Sequence, residues 1–282
     1  MTGIAMKHMR NANALVTGAS RGLGPYICRA LASEGVNIVA AARTTDLLEN
    51  VAASLRRHGI QSVAVTSDLT VAAERVSLVE RAERALGAID ILINNAGIES
   101  EGAFQQIDSE TIQQTVEVNL TAPMHLARML LPQMMARQHG HIVNIASVGG
   151  KRGAPYDAVY CGTKAGLIQW SNALRLELKG CGVDVSVICP GYVTEVGMFA
   201  KFGIDPPVTL GSCTPQQVAR GVLQLLSGNR PEMIVNSRPV RPLLGLGEMF
   251  PRLADWMMGA LGVTEFQRRK VETTCEGGHG RV

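Results

Sequence analysis

At 282 residues, with 46% hydrophobic and 18% charged side chains, the chain carries enough apolar mass to bury a full core within one domain. Its net charge of +3 comes from scattered Lys and Arg, which points to neither a nucleic-acid partner nor an anionic membrane surface. Six cysteines without paired metal-ligand spacing read as reduced thiols of a cytoplasmic protein, and no apolar run approaches the ~20 residues that a spanning helix needs.

Residues 1–11 form an expected N-terminal tail with Lys7 and Arg10, and the next run, Ala14–Val16, is too short for a signal peptide. From there, short runs rich in Val and Ile alternate with stretches of helical period. Strands are expected at Ala14–Val16, Val36–Ala42, Ser62–Thr66, Ile89–Asn94, His141–Ala146, Asp184–Cys189 and Met233–Val235. Several are apolar almost throughout, as a strand covered on both faces must be. The alternation predicts an α/β fold, a single Rossmann-type doubly wound parallel sheet over 12–237 with helices on both faces.

The first helix places Leu23, Ile27, Ala30 and Leu31 on one face, with Pro25 tolerated in its first turn and Gly35 as its stop. Thr214-Pro215-Gln216-Gln217 reads as a capping box that opens the last helix of the sheet domain.

Between the first strand and first helix lies Thr17-Gly18-Ala19-Ser20-Arg21-Gly22-Leu23-Gly24. A glycine turn running into a helix offers a phosphate close backbone N–H groups and the positive end of the helix dipole, although a glycine turn without a ligand has the same composition. The second strand ends in Ala41-Ala42-Arg43-Thr44, where a dinucleotide fold faces the adenosine ribose. An acid there would select NAD. Arg43, with Arg21, instead suits the 2′-phosphate of NADP(H), unless both are simply solvated surface charges.

The TGxxxGxG spacing resembles the short-chain dehydrogenase/reductase family, and further motifs match from Ala12 to Val235. The resemblance implies an adenine contact at Asp68 with Leu69. It implies a cofactor-flanking stretch at Asn95-Ala96-Gly97, partly structural together with Asn94. It also implies a turn at Pro190-Gly191 that closes over the nicotinamide, with Val193 and Thr194 beyond it.

Tyr160 and Lys164 stand four residues apart on an expected helix, hence on one face. A phenol is a poor base unaided, and a nearby ammonium should lower its pKa enough for proton exchange with an alcohol. By resemblance, Lys164 also holds the nicotinamide ribose, Ser147 hydrogen-bonds the substrate oxygen, and the helix residue Asn119 holds a water in the proton relay. The chemistry implied is hydride transfer between NADP(H) and a carbonyl carbon while Tyr160 protonates the oxygen, with no metal required. The histidines lack ligand spacing and read as surface or packing residues.

A lid is expected over 192–213, with Val193, Val196, Met198, Phe199, Phe202, Ile204 and Leu210 either facing a lipophilic substrate or packing on the core. Lys151 and Arg152 read as loop charges. Residues 238–282 form an extension in which Leu253, Trp256, Met257, Ala260 and Leu261 share helical spacing. That face is expected to cover the pocket, pack in a dimer, or make a peripheral membrane contact, in that order. A mobile polar tail is expected from Glu272.

The substrate expected is a small-molecule lipophilic or bulky ketone. A 3-oxoacyl thioester is the alternative, although Gln138 and Cys181 stand where carrier-dependent reductases have basic residues. A non-catalytic NADP-binding module is the reading from another class. A homo-dimer or homo-tetramer, assembled through the helices around Asn119 and Lys164, is expected.

Overall fold

The computed structural model describes residues 9–200, 202–204, 206–207, 209–228 and 230–276, and the side chains of 273–276 are not described. Residues 1–8 and 277–282, which hold His8, His279 and most of the expected N-terminal tail, lie outside the described residues.

The expected alternation becomes strands β1 (Asn13–Thr17), β2 (Asn37–Ala42), β3 (Ser62–Thr66), β4 (Ile91–Asn94), β5 (Gly140–Ile145) and β6 (Val183–Pro190). After β6 come a short two-stranded ladder, β7 (Tyr192–Val193) with β8 (Ser212–Cys213), and then β9 (Glu232–Val235). The main sheet is seven-stranded and parallel, in the order β3-β2-β1-β4-β5-β6-β9. Strand order reverses between β1 and β4, which opens a crevice at the carboxyl ends of the strands where such sheets bind ligands.

The helices are α1 (Gly24–Ser33), α2 (Thr45–Arg56), α3 (Ala72–Leu86), α4 (Ser109–Val116), α5 (Ala122–Ala136), α6 (Ala158–Glu177), α7 (Gly197–Ala200) and α8 (Pro215–Gly228). The C-terminal segment adds α9 (Arg241–Met249), α10 (Pro251–Ala260) and α11 (Val263–Glu276). The sheet feeds two cores because side chains alternate along every strand. Ala14, Val16, Ile91 and Ile93 pack with Ile27, Leu31, Leu48 and Val222 on one face, while Leu15 and Leu92 pack with Leu78, Leu126, Leu130 and Leu174 on the other.

Pro25 sits in the first turn of α1, and Gly35 follows the helix at φ +80°. The capping box of α8 forms in both directions: the Thr214 N–H donates to Gln217 Oε1 at 2.8 Å, and the Gln217 N–H donates to Thr214 Oγ1 at 3.3 Å. β4 begins at Ile91, later than its apolar run. Ile89 is buried, but the Asp90 carboxylate accepts the Asn13 N–H at 3.0 Å, so this stretch serves the core before it joins the ladder.

Asn119, expected on a helix, lies in a π-helical turn, Glu117–Thr121, that joins α4 to α5. Of the tail expected from Glu272, the residues through Glu276 are helical, with Arg268 and Arg269 bonding to Glu265 and Arg268 pairing with Glu272 at 3.3 Å, and residues 277–282 lie outside the described residues.

Candidate active site

The β1–α1 turn is shaped by glycines whose conformation no other residue adopts cheaply. Gly18 and Gly22 have φ values of +64° and +61°, and a Cβ on Gly18 would lie 2.8 Å from Ala96 Cα. That close approach is secured by Asn95, whose side-chain amide donates to the Thr17 and Gly18 carbonyls at 2.9 and 3.0 Å. Behind it, Asn94 donates to Asn144 and Asn144 to Ser171, each at 2.8 Å, a buried chain that ties β4, β5 and α6 together.

The turn forms one end of a cavity of about 870 Å³. Gly18, Ser20, Arg21, Gly22 and Leu23 line it, with Arg43, Asp68, Leu69, Asn95, Ala96 and Gly97. Burial alone would raise the Asp68 carboxyl, but hydrogen bonds from Thr70 and then the Arg43 charge hold it below its ordinary range. A glycine turn at a helix start, two arginines and a carboxylate make a donor set that fits a dinucleotide.

Further along, the same cavity is lined by Ser147, Tyr160, Lys164, Pro190, Gly191 and Val193. Ser147 leaves β5 and its Oγ accepts the Gly149 N–H at 3.0 Å. Tyr160 and Lys164 share one face of α6, with Lys164 Nζ 5.6 Å from the Tyr160 ring centroid. Lys164 is buried and donates to the Ile145 carbonyl at 2.9 Å. Burial pulls its pKa down to about 8.

The Tyr160 phenol is pushed well above its ordinary value. Burial is the main cause and the Glu99 carboxylate adds to it, while the Ser147 hydrogen bond works in the opposite sense. Burial, not the Lys164 charge, therefore sets the direction of the shift within the chain itself.

Asn119, Gly24 and Thr194 do not line the cavity. Asn119 donates to the Ile98 carbonyl at 2.9 Å and accepts the Ile98 N–H at 2.9 Å. Its Oδ1 and Lys164 Nζ lie 3.3 and 3.4 Å from where a Cβ on Gly97 would stand, so this glycine lets the two side chains converge. Gly24 is a packing glycine, since its Cβ would sit 2.2 Å from the Gly18 carbonyl oxygen. The Thr194 hydroxyl turns to the Cys213 carbonyl at 3.4 Å.

The remaining wall comes from the lid and the C-terminal helices. Val196, Met198, Phe199 and Leu210 line it, whereas Phe202 packs on Phe199 at 6.5 Å between centroids. Leu244, Met257, Met258 and Leu261 add an apolar roof. The single extension face expected from spacing is divided: Met257 and Leu261 face the cavity while Leu253 and Trp256 are 41% and 68% exposed. Lys151 pairs with Glu232, and Arg152 pairs with Asp255 of α10. Sequence reasoning missed Glu99, Asp157, Gln267 and Lys270, which also line the cavity. No group of His, Cys, Asp and Glu able to hold a metal occurs among the described residues.

A model of the family described as short chain dehydrogenase matches residues 12–205. The chain belongs to the short-chain dehydrogenase family. This short-chain dehydrogenase is 40% identical over 273 residues to Ketoacyl reductase HetN of Nostoc sp., covering 95% of each chain. It is 32% identical over 186 residues to the 3-oxoacyl-[acyl-carrier-protein] reductase FabG of Staphylococcus epidermidis, covering 66% of this chain and 76% of that one. Among solved structures, a variant of the actinorhodin polyketide ketoreductase with NADPH is 31% identical with a TM-score of 0.73, covering 80% of this chain and 95% of that one. A metagenomic short-chain oxidoreductase in complex with NADP is 29% identical with a TM-score of 0.71, covering 81% and 98%.

Membership makes the protein a nicotinamide-dependent oxidoreductase that interconverts a carbonyl and an alcohol. The match to the Nostoc protein takes in most of the segment after residue 238, which the family model does not reach. No helix among the described residues is long and apolar enough to cross a membrane.

Proposed function

We propose that the protein is an NADP(H)-dependent reductase of lipophilic or bulky ketones, with Tyr160, Ser147, Lys164 and Asn119 as its working residues. The observation that carries this reading is that Tyr160 lines one cavity together with the glycine turn and the apolar side chains of α9 and α10, its phenol pushed up by burial. A protonated phenol on this wall can give its proton to a carbonyl oxygen as hydride reaches the carbon, and take it back in the reverse reaction. Ser147 donates to the same oxygen and polarises the carbonyl. Lys164 keeps a charge beside the phenol below about pH 8 and anchors the ribose end of the dinucleotide. Asn119 acts from behind Lys164, fixing the Gly97 stretch. When bound, the nicotinamide supplies or takes up the hydride.

Preference for NADP(H) over NAD(H) rests on Arg21 and Arg43, both exposed on the cavity wall with no acid at the end of β2. The roof of Leu244, Met257, Met258 and Leu261 supports an apolar substrate. A 3-oxoacyl thioester is the second reading, favoured by the names of the Nostoc and Staphylococcus relatives. We place a homo-oligomer contact on α5 and α6, where Met135 and Leu176 are 40% and 63% exposed, and peripheral membrane contact on the outer face of α9 and α10. Reduced, buried thiols suit the cytoplasm.

Consumption of NADPH with free bulky ketones and with a carrier-bound 3-oxoacyl thioester tests the reading. Turnover of the free ketones is expected, and Tyr160→Phe should lose about 10²- to 10⁴-fold of it while still binding NADPH. Strong preference for the carrier-bound form overturns the substrate assignment. Full turnover by Tyr160→Phe overturns the mechanism.

A further inference from the structure

α11 lies outside the segment matched by the family model, yet it carries buried polar side chains into the cavity. Gln267 and Lys270 are 4% and 3% exposed. Neighbouring Arg268 and Arg269 face solvent. Burying an ammonium costs several kcal/mol unless charges and hydrogen bonds compensate for it. Lys270 meets two carboxylates from the turn after β4, with Nζ 3.7 Å from Glu99 Oε1 and closer still to Glu101. It also lies 4.7 Å from the centroid of the Phe202 ring in the lid.

The adjoining residues grip the lid from the same helix. Gln267 donates to the Tyr192 phenol oxygen at 3.3 Å, and the Phe266 ring stands edge-on to Tyr192 at 5.5 Å and tilted to Phe199 at 6.0 Å. Burial drives the Glu99 carboxyl up to about 8 against the pull of Lys270, with Glu101 adding to the rise.

We infer that Lys270 clasps α11 onto the lid and the post-β4 turn, and so makes the C-terminal helices a specificity-determining wall for large carbonyl substrates. Lys270 is a positioning residue: it closes the far side of the chamber so that a bulky substrate is held against Tyr160, whereas a small ketone needs no such wall. The inference rests on the reductase reading above.

The test compares wild type, Lys270→Met and the compensated Lys270→Met/Glu101→Gln, which removes the surplus charge along with the ammonium. Steady-state kinetics with NADPH would use a bulky bicyclic ketone and butanone, and amide hydrogen exchange over 263–272 would be followed without substrate. In Lys270→Met, the ratio of kcat/KM for the bulky ketone to that for butanone should fall about tenfold, chiefly through KM, with faster exchange in α11. Lys270→Met/Glu101→Gln removes the same contact without stranding the nearer carboxylate, so it should show the same fall in the ratio and the same faster exchange, and it carries the test if Lys270→Met does not fold. An unchanged ratio in an active enzyme overturns the specificity role alone, and unchanged exchange overturns the clasp. A wild type that reduces neither ketone instead overturns the reductase reading and the specificity role with it, while exchange still decides the clasp.

Discussion

Tyr160 and Lys164 are each pulled away from their solution behaviour by the same cause. Burial disfavours whichever form is charged, so it raises the phenol and lowers the ammonium to about 8. The phenol therefore holds its proton more firmly than in water, while the ammonium is closer to losing its charge. At the other end of the cavity Arg43 is exposed, and its charge acts on Asp68 through solvent as well as protein. A dinucleotide phosphate held by Arg43 would gain charge-assisted hydrogen bonds, so Arg43→Ala should raise KM for NADPH about tenfold or more. Steady-state measurement with both dinucleotides checks this. An equal loss for NADPH and NADH would mean that Arg43 does not read the 2′-phosphate.

At the scale of elements, the β1–α1 junction has no slack. Gly24 brings the start of α1 against its own turn, with a Cβ position 2.2 Å from the Gly18 oxygen and 2.7 Å from Ala19 Cα, both backbone atoms unable to swing aside. Gly24→Ala should therefore destabilise the fold by about 1–3 kcal/mol and weaken dinucleotide binding, because the N–H groups that face the phosphate move with the turn. Urea unfolding and a fluorescence titration with NADPH measure the two effects. A variant with wild-type stability would show that the turn relaxes freely. The π-helical turn at Glu117–Thr121 is a second constrained junction, where buried Arg75 bonds both Glu117 and the Leu69 carbonyl and so links the Asn119 segment to the Asp68–Leu69 wall of the cavity.

For the whole molecule, a sheet covered on both faces leaves no water in its middle. His141 on β5 is fully buried with Nε2 2.9 Å from Ser186 Oγ, and burial lowers its pKa from 6.5 to about 4. The native histidine is neutral while the unfolded chain takes up a proton below pH 6.5, so protons bind the unfolded state preferentially. Its contribution is complete above pH 6.5 and declines as pH falls toward 4, by on the order of 3 kcal/mol in total. Unfolding free energies at neutral pH and near pH 4.5 should show a shallower acid loss in His141→Gln than in wild type. Identical acid slopes would assign the loss to carboxylates elsewhere.

What the sequence determined by itself is local or periodic. Apolar runs placed all seven strands of the main sheet, because burial on both faces demands such runs whatever their neighbours. Glycine spacing placed the tight turn between β1 and α1, and a separation of four on one helix put Tyr160 beside Lys164. Tertiary structure alone decided that Glu99, Asp157, Gln267 and Lys270 share one cavity, since nothing in spacing relates a turn after β4 to the last helix. It also divided the extension between a roof and an exposed face, and it set the direction of the Tyr160 shift. Protonation depends on desolvation and on charges summed through space, and both exist only once distant segments have packed together.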